Sequence, residues 1–184
     1  MSLFPINLFG DKILRSKTNP VKDVDAETIE QIKSMFDTMH NAGGMGLAAN
    51  QVGLQKSIIV LDLSMVKGYE KTKPMVLINP KIVSISPETV FLDEGCLSLP
   101  GVRGKVERPS MIEVMYYDTD LKEIRQEADE WLARVILHEN DHLNGIYFTD
   151  RVSDEIRRKV KRDLLDIKNR KINFDYPVTE KELK

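Results

Sequence analysis

Apolar and polar positions follow two different periods along this chain. Between positions 25 and 43, Ile29, Ile32, Met35, Phe36 and Met39 recur at the spacing of a helix face, with Asp25 placed to cap its start and Gly43-Gly44 to stop it. A glycine-broken stretch, GGMGLAANQVG, comes next. Five β-branched or alternating runs then predict strands at 57–63, 75–78, 81–85, 89–92 and 112–117, punctuated by Asn79-Pro80, Pro87 and Pro109. The spacers between them are too short for repeated crossover helices, so the sheet is expected to be largely antiparallel or mixed. From about Asp129 the helical period returns through Trp131, Leu132, Val135, Ile136, His138, His142 and Leu143 and ends at an Asn144-Gly145 C-cap. Over 153–168, Ile156, Val160, Leu164 and Ile167 form the apolar stripe of an amphipathic C-terminal helix with basic residues between them.

No repeat, low-complexity tract or linker divides the 184 residues, so one catalytic domain over 1–184 is expected. A hydrophobic share of 41% and a charged share of 30% fit a soluble globular chain and argue against disorder or membrane embedding. A net charge of -2 and a pI near 6.0 give no general attraction to DNA, RNA or an anionic membrane. The start, MSLFPINLFGDKILR, has no signal-peptide pattern and no run reaches membrane-spanning length, which makes the cytoplasm the expected location. A single cysteine, Cys96, excludes an internal disulfide.

The strongest chemical signal is His138-Glu139-Asn140-Asp141-His142. A helix advances about 100° per residue, so the two histidines stand one turn apart on one side, where they can grip a single metal ion. Glu139 is then close enough to take a proton from water at the metal without itself being a ligand. Trp131, Leu132, Val135 and Ile136 make this helix too apolar to lie on the surface, and buried imidazoles need partners. A catalytic site needs a third protein ligand and an open position. No histidine follows His142, which leaves Asp150, Glu155 or Cys96. Around Cys96, EGCLSLP has glycine for close backbone approach and Pro100, which is expected to end any strand. The glycine-rich stretch lacks the Lys-Ser/Thr of a phosphate loop; its glycines would instead expose backbone to an extended ligand, with Gln51 offering an amide donor.

In this order, GMGLAANQ, EGCLS and HENDH resemble the three signature motifs of the peptide deformylase family, and the similarity extends to Gly10-Asp11, Leu14-Arg15, Asn79-Pro80 and Leu143-Asn144-Gly145. Lys12 departs from a common proline and Asn50 occupies a variable position, neither touching the chemistry. The resemblance implies an α+β fold with antiparallel sheets packed around the helix that carries the HExDH motif. It implies Cys96, His138 and His142 as ligands of one divalent ion, iron(II), with zinc, nickel or cobalt as substitutes. Glu139 would be the base, and the Gln51 amide and the Leu97 backbone N–H would stabilise the developing oxyanion. The substrate would be the N-formyl-methionyl end of a nascent peptide, lying extended along Met45, Gly46 and Gly95 as an added strand. Val135 and Trp131, one turn apart, are the expected walls of its methionine pocket. Arg157, Arg158, Lys159, Lys161 and Arg162 could touch ribosomal RNA, although a solvated helix face explains them more simply. Two other readings are a zinc endopeptidase using Asp150 or Glu155, and a noncatalytic module whose metal is closed off by four protein ligands.

Overall fold

Four consecutive apolar residues, Ile58–Leu61, set the architecture, because a strand buried on one face only would alternate with polar positions. The computed structural model describes residues 2–181. There this strand, β2, lies inside a five-stranded antiparallel sheet of order β1-β2-β3-β6-β7, with β1 at Gly46–Ala48, β3 at Met75–Ile85, β6 at Met111–Tyr117 and β7 at Glu123–Asp129. Ile58 and Val60 face helix α1 (Ala26–Asn41), packing with Ile32, Met35 and Met39. Ile59 and Leu61 face the opposite way, onto Ala133, Val135 and Ile136 of helix α2 (Glu130–Leu143). A separate antiparallel hairpin, β4 (Thr89–Cys96) with β5 (Leu99–Pro109), packs on a further apolar cluster. That cluster joins Ile6, Leu8 and Leu14 to Tyr147, Phe148 and Val152.

The ends of the first two helices form as their sequences dictate. The Asp25 carboxylate accepts from Thr28 N–H at 2.7 Å, and the chain leaves α1 through Gly43 at a φ of +67°, in the left-handed region. Asn144 follows α2, and Gly145 takes a φ of +74° with no room for a Cβ beside the Arg15 backbone.

Several elements depart from the periodicity reading. The runs at 75–78 and 81–85 are one strand, β3, because a bulge absorbs Asn79-Pro80: Asn79 takes a φ of +51° and its side chain pairs with both backbone groups of Val21. Pro100 does not end a strand. The turn at Leu97-Ser98 does that, β4 continues to Cys96, and Pro100 lies in β5 where the register slips, so its missing N–H disrupts nothing. The rest of β5 also escapes a periodicity search, because its inward positions include Gly104 and Arg108 as well as Val102 and Val106. β7 is a polar edge strand whose inward face carries Ile124, Gln126 and Ala128, with Gln126 accepting from the Tyr116 hydroxyl. The expected C-terminal helix is two, α3 (Asp154–Lys159) and α4 (Lys161–Lys168), meeting at Val160. Different contacts hold them: Arg157 reaches the carbonyls of Thr149 and Asp150, whereas α4 buries Leu164 and Ile167. No described helix is long and apolar enough to cross a membrane.

Candidate active site

Helix α2 and the β4–β5 hairpin meet where Cys96, His138 and His142 converge. Sγ of Cys96, at the end of β4, is 3.1 Å from Nε2 of His142, and one ligand atom each from Cys96, His138 and His142 lie within 4.8 Å of one another. The histidine at the first motif position is aimed by a residue to which sequence reasoning assigned no role. Glu94 Oε2 sits 2.8 Å from Nδ1 of His138, and an ionised carboxylate can only accept, so Nδ1 carries the hydrogen and Nε2 is the ring nitrogen left for the site. Burial opposes ionisation of Glu94, but Arg108 and His138 overcome it and hold this carboxyl well below the usual carboxylate range. Burial likewise works against charge on His138, yet hydrogen bonding to Cys96 and Glu94 outweighs it and raises its pKa; burial and the neighbouring His138 lower that of His142.

Glu94 belongs to a buried ionic network. Arg108 of β5 donates to both its oxygens, at 2.6 and 2.9 Å, and to Asp141 at 2.7 Å; Arg134 of α2 donates to Glu94 at 2.8 Å. Asp141 in turn accepts from Arg151. Asp141, the fourth residue of HENDH, thereby ties the motif helix to β5. Its sequence signal was its place inside the motif; Arg108 gave none, standing in a run of alternating charge.

Glu139 is 4% exposed and lies beside this cluster. Burial pushes its carboxyl up to about 7 in the protein alone, and Oε2 has no hydrogen-bond partner among the described residues. Glycine in the GGMGL stretch has a specific reason here: a Cβ on Gly46 would stand 2.7 Å from Glu139 Oε1 and equally close to Val135 Cγ1. Gln51 is oriented by the backbone. Ala48 N–H donates to its Oε1 at 2.8 Å, which turns Nε2 toward Ser98 Oγ at 3.1 Å and Cys96 Sγ at 3.6 Å. Asn50, read as remote from the chemistry, is buried with Nδ2 donating to the backbone carbonyl of His142 at 2.5 Å.

Gln51, Glu94, Cys96, His138 and Glu139 line one open cleft of about 430 Å³, whose walls also include Met45, Gly46, Gly95, Leu97, Trp131 and Val135. Every residue singled out for substrate contact is therefore at this cleft. Asp150 and Glu155 are not. Asp150 pairs with Arg15 and Glu155 with Lys159. Sequence reasoning missed Ser98, a buried partner of the Gln51 amide, and Asp175 and Tyr176, which line the cleft from the chain beyond α4, where no motif marks them.

The donor set fits a divalent cation. A thiolate and two imidazoles converge and one imidazole has its outer nitrogen anchored by a carboxylate; three such protein donors would leave a four-coordinate ion one position for water or substrate. A helix presenting two histidines and an acid, with the third donor brought by a hairpin, has the makeup of a metal-dependent hydrolase. The family model described as polypeptide deformylase matches residues 3–158, and the chain belongs to that family. It is 47% identical over 176 residues to a peptide deformylase of Chlorobium phaeobacteroides, covering 96% of this chain and 95% of the relative. Among solved structures, a peptide deformylase from Ehrlichia chaffeensis in complex with actinonin superposes with a TM-score of 0.84 at 40% identity, covering 94% of this chain and all of that one. One from Plasmodium falciparum gives a TM-score of 0.83 at 37% identity, covering 90% and 95%.

Proposed function

We infer that this protein hydrolyses the N-terminal formyl group from formyl-methionyl peptides, and that Cys96, His138 and His142 hold the one divalent ion the reaction uses. Family membership carries the reaction; the convergence of these donors with Glu139 and Gln51 on one cleft carries the assignment of roles. The ion is iron(II), with zinc, nickel or cobalt as replacements, since thiolate and imidazole donors suit all four. Bound there it supplies Lewis acidity toward water and the formyl carbonyl.

Glu139 takes the proton that attacking water must lose and returns it to the departing amine. Its carboxyl has one oxygen without a hydrogen-bond partner among the described residues, free to receive and return a proton. As the formyl carbon becomes tetrahedral, its oxygen gains negative charge, and the Gln51 amide and the Leu97 N–H donate to it. The Ala48 bond supports that role for Gln51, because it fixes which end of the amide faces the cleft. The peptide lies extended between Met45-Gly46 and Gly95, adding to the free edge of β1. Its methionine side chain enters between Val135 and Trp131. Nascent chains are the natural source of such substrates, which sets the reaction in the cytoplasm. Arg157, Arg158, Lys159, Lys161 and Arg162 are all exposed; Arg157 reaches the Thr149 and Asp150 carbonyls and Lys159 pairs with Glu155, which leaves Arg158, Lys161 and Arg162 for any transient contact with ribosomal RNA.

The test is formate release from a formyl-methionyl tripeptide by protein purified anaerobically with iron(II), alongside metal analysis. Formate at one equivalent per peptide with about one ion per chain is expected. No formate from fully loaded protein would overturn the reading. The endopeptidase alternative is disfavoured by the positions of Asp150 and Glu155, both engaged in ion pairs away from the donor cluster.

A further inference from the structure

Asp175 and Tyr176 line the cleft from a segment that lies outside the residues matched by the family model. That segment is anchored rather than draped. Ile6 N–H donates to Pro177 O at 2.9 Å and Thr179 N–H to Ile6 O at 3.0 Å, pairing Ile6 with Val178 as a parallel bridge. Arg170, just past α4, donates to Thr179 O and to the Asp11 carboxylate, and the Thr179 hydroxyl donates to Asp11 at 2.8 Å. Ile172, Phe174, Tyr176 and Val178 alternate with exposed neighbours and pack on the cluster beneath the hairpin. From this fixed base the Tyr176 hydroxyl donates to the carbonyl of Leu97 at 2.7 Å.

Leu97 and Ser98 form the turn between β4 and β5, directly after the thiol ligand. Two bonds reach the turn's carbonyls from elsewhere in the chain: Phe9 N–H to Ser98 O at 2.9 Å, and Tyr176 to Leu97 O. The Leu97 side chain is located by packing, since a Cβ on Gly44 would stand 2.7 Å from its Cδ1. The carbonyl bond fixes the Leu97–Ser98 peptide plane, so the Leu97 Cα that carries the N–H is held through two of its substituents, side chain and carbonyl.

We propose that Tyr176 is a positioning residue for deformylation: by holding the Leu97 carbonyl it fixes the direction of the Leu97 N–H that meets the developing oxyanion. This rests on the mechanism given above, and it assigns to a segment outside the family motifs a part in the reaction. Tyr176 touches neither the reacting atoms nor the ion; it acts through Leu97.

The variant Tyr176→Phe keeps the ring and its packing and removes only the hydroxyl. Its kcat toward a formyl-methionyl peptide should fall roughly tenfold, less than the 10²–10³ expected for losing an oxyanion donor outright. KM should stay within about twofold, because the methionine pocket and the strand pairing are untouched, and the urea midpoint should barely move. Unchanged kcat, or a loss expressed in KM alone, overturns the proposal. A second readout is independent of the reaction: backbone order parameters of Leu97 and Ser98, measured by NMR, should drop in Tyr176→Phe while those of β5 stay constant. Unchanged order parameters overturn the proposal too. Wild-type protein that releases no formate would instead refute the assigned reaction, and the hold of Tyr176 on the turn would be decided by the order parameters.

Discussion

Gly46 packs against Glu139, the proposed base, and one methyl group there is enough to displace that carboxylate. Alanine at this position would place a carbon 2.7 Å from Glu139 Oε1, well inside van der Waals contact, with Val135 blocking retreat on the other side. Gly46→Ala should therefore lower kcat/KM by about 10²-fold, as small errors in catalytic geometry do, while metal content measured by elemental analysis stays near one per chain. Glu139→Gln makes the complementary comparison: size is kept and the base is lost. Turnover should become nearly undetectable with metal retained, and near-normal turnover would remove Glu139 from the mechanism. At this scale His138, Glu139 and His142 were legible from spacing alone, since helical geometry converts an interval of four into one face. Cys96 was not, because a lone cysteine carries no interval; the EGCLS motif singled it out. Tyr176 left no trace in the sequence, as its function depends on a fold that returns the chain to Leu97.

Among the elements, the contact of α2 with the β4–β5 hairpin is the one on which the site depends, and it is held by charges rather than by apolar packing alone. Glu94 on β4, Arg108 on β5 and Arg134 and Asp141 on α2 are all almost fully buried and mutually bonded. Removing one partner of such a group leaves the others unpaired in a poor solvent for charge, so Glu94→Gln should destabilise the fold by about 3–5 kcal/mol and loosen His138 at the same time. The pH dependence has a definite sign. The Glu94 carboxyl is held below its unfolded value of about 4.3, so its contribution is complete above that pH and is lost as pH falls further toward the folded value. Urea midpoints of the wild type should decline as pH drops below about 4.3, and those of Glu94→Gln should decline less; parallel curves would show that Glu94 is not the group responsible. The same network explains why β5 was invisible to a search for alternating apolar residues: at the position of Arg108 a salt-bridged guanidinium replaces the expected hydrophobe. α1 and α2 were legible because their stripes are apolar and capped, and β2 because both of its faces are buried.

For the whole molecule the sharpest expectation is selectivity for formyl over acetyl. In the mechanism proposed above Gln51, Leu97 and Glu139 surround the carbonyl carbon in its tetrahedral state; a formyl group presents only hydrogen on its far side, whereas an acetyl methyl would have to displace one of them. Misplacement of that kind costs on the order of 10²-fold in rate. Dividing the enzymatic formyl-to-acetyl ratio by the ratio for hydroxide-catalysed cleavage of the same peptides removes intrinsic reactivity. A quotient near one would mean that the cleft does not select.

The bond between Thr179 and Ile6 spans 173 positions of sequence, and this separation bears on the order in which the molecule assembles. Bringing such distant segments together is slow relative to forming α1 or the β4–β5 hairpin, whose contacts are local. The turn that follows Cys96 thus gains its second tether only when the two ends of the fold meet. Refolding from urea should recover sheet ellipticity first and catalytic turnover measurably later. Arg170→Gln, which removes the ion pair with Asp11 and leaves only the Thr179 hydroxyl bond to that carboxylate, should lengthen that delay without slowing the first phase.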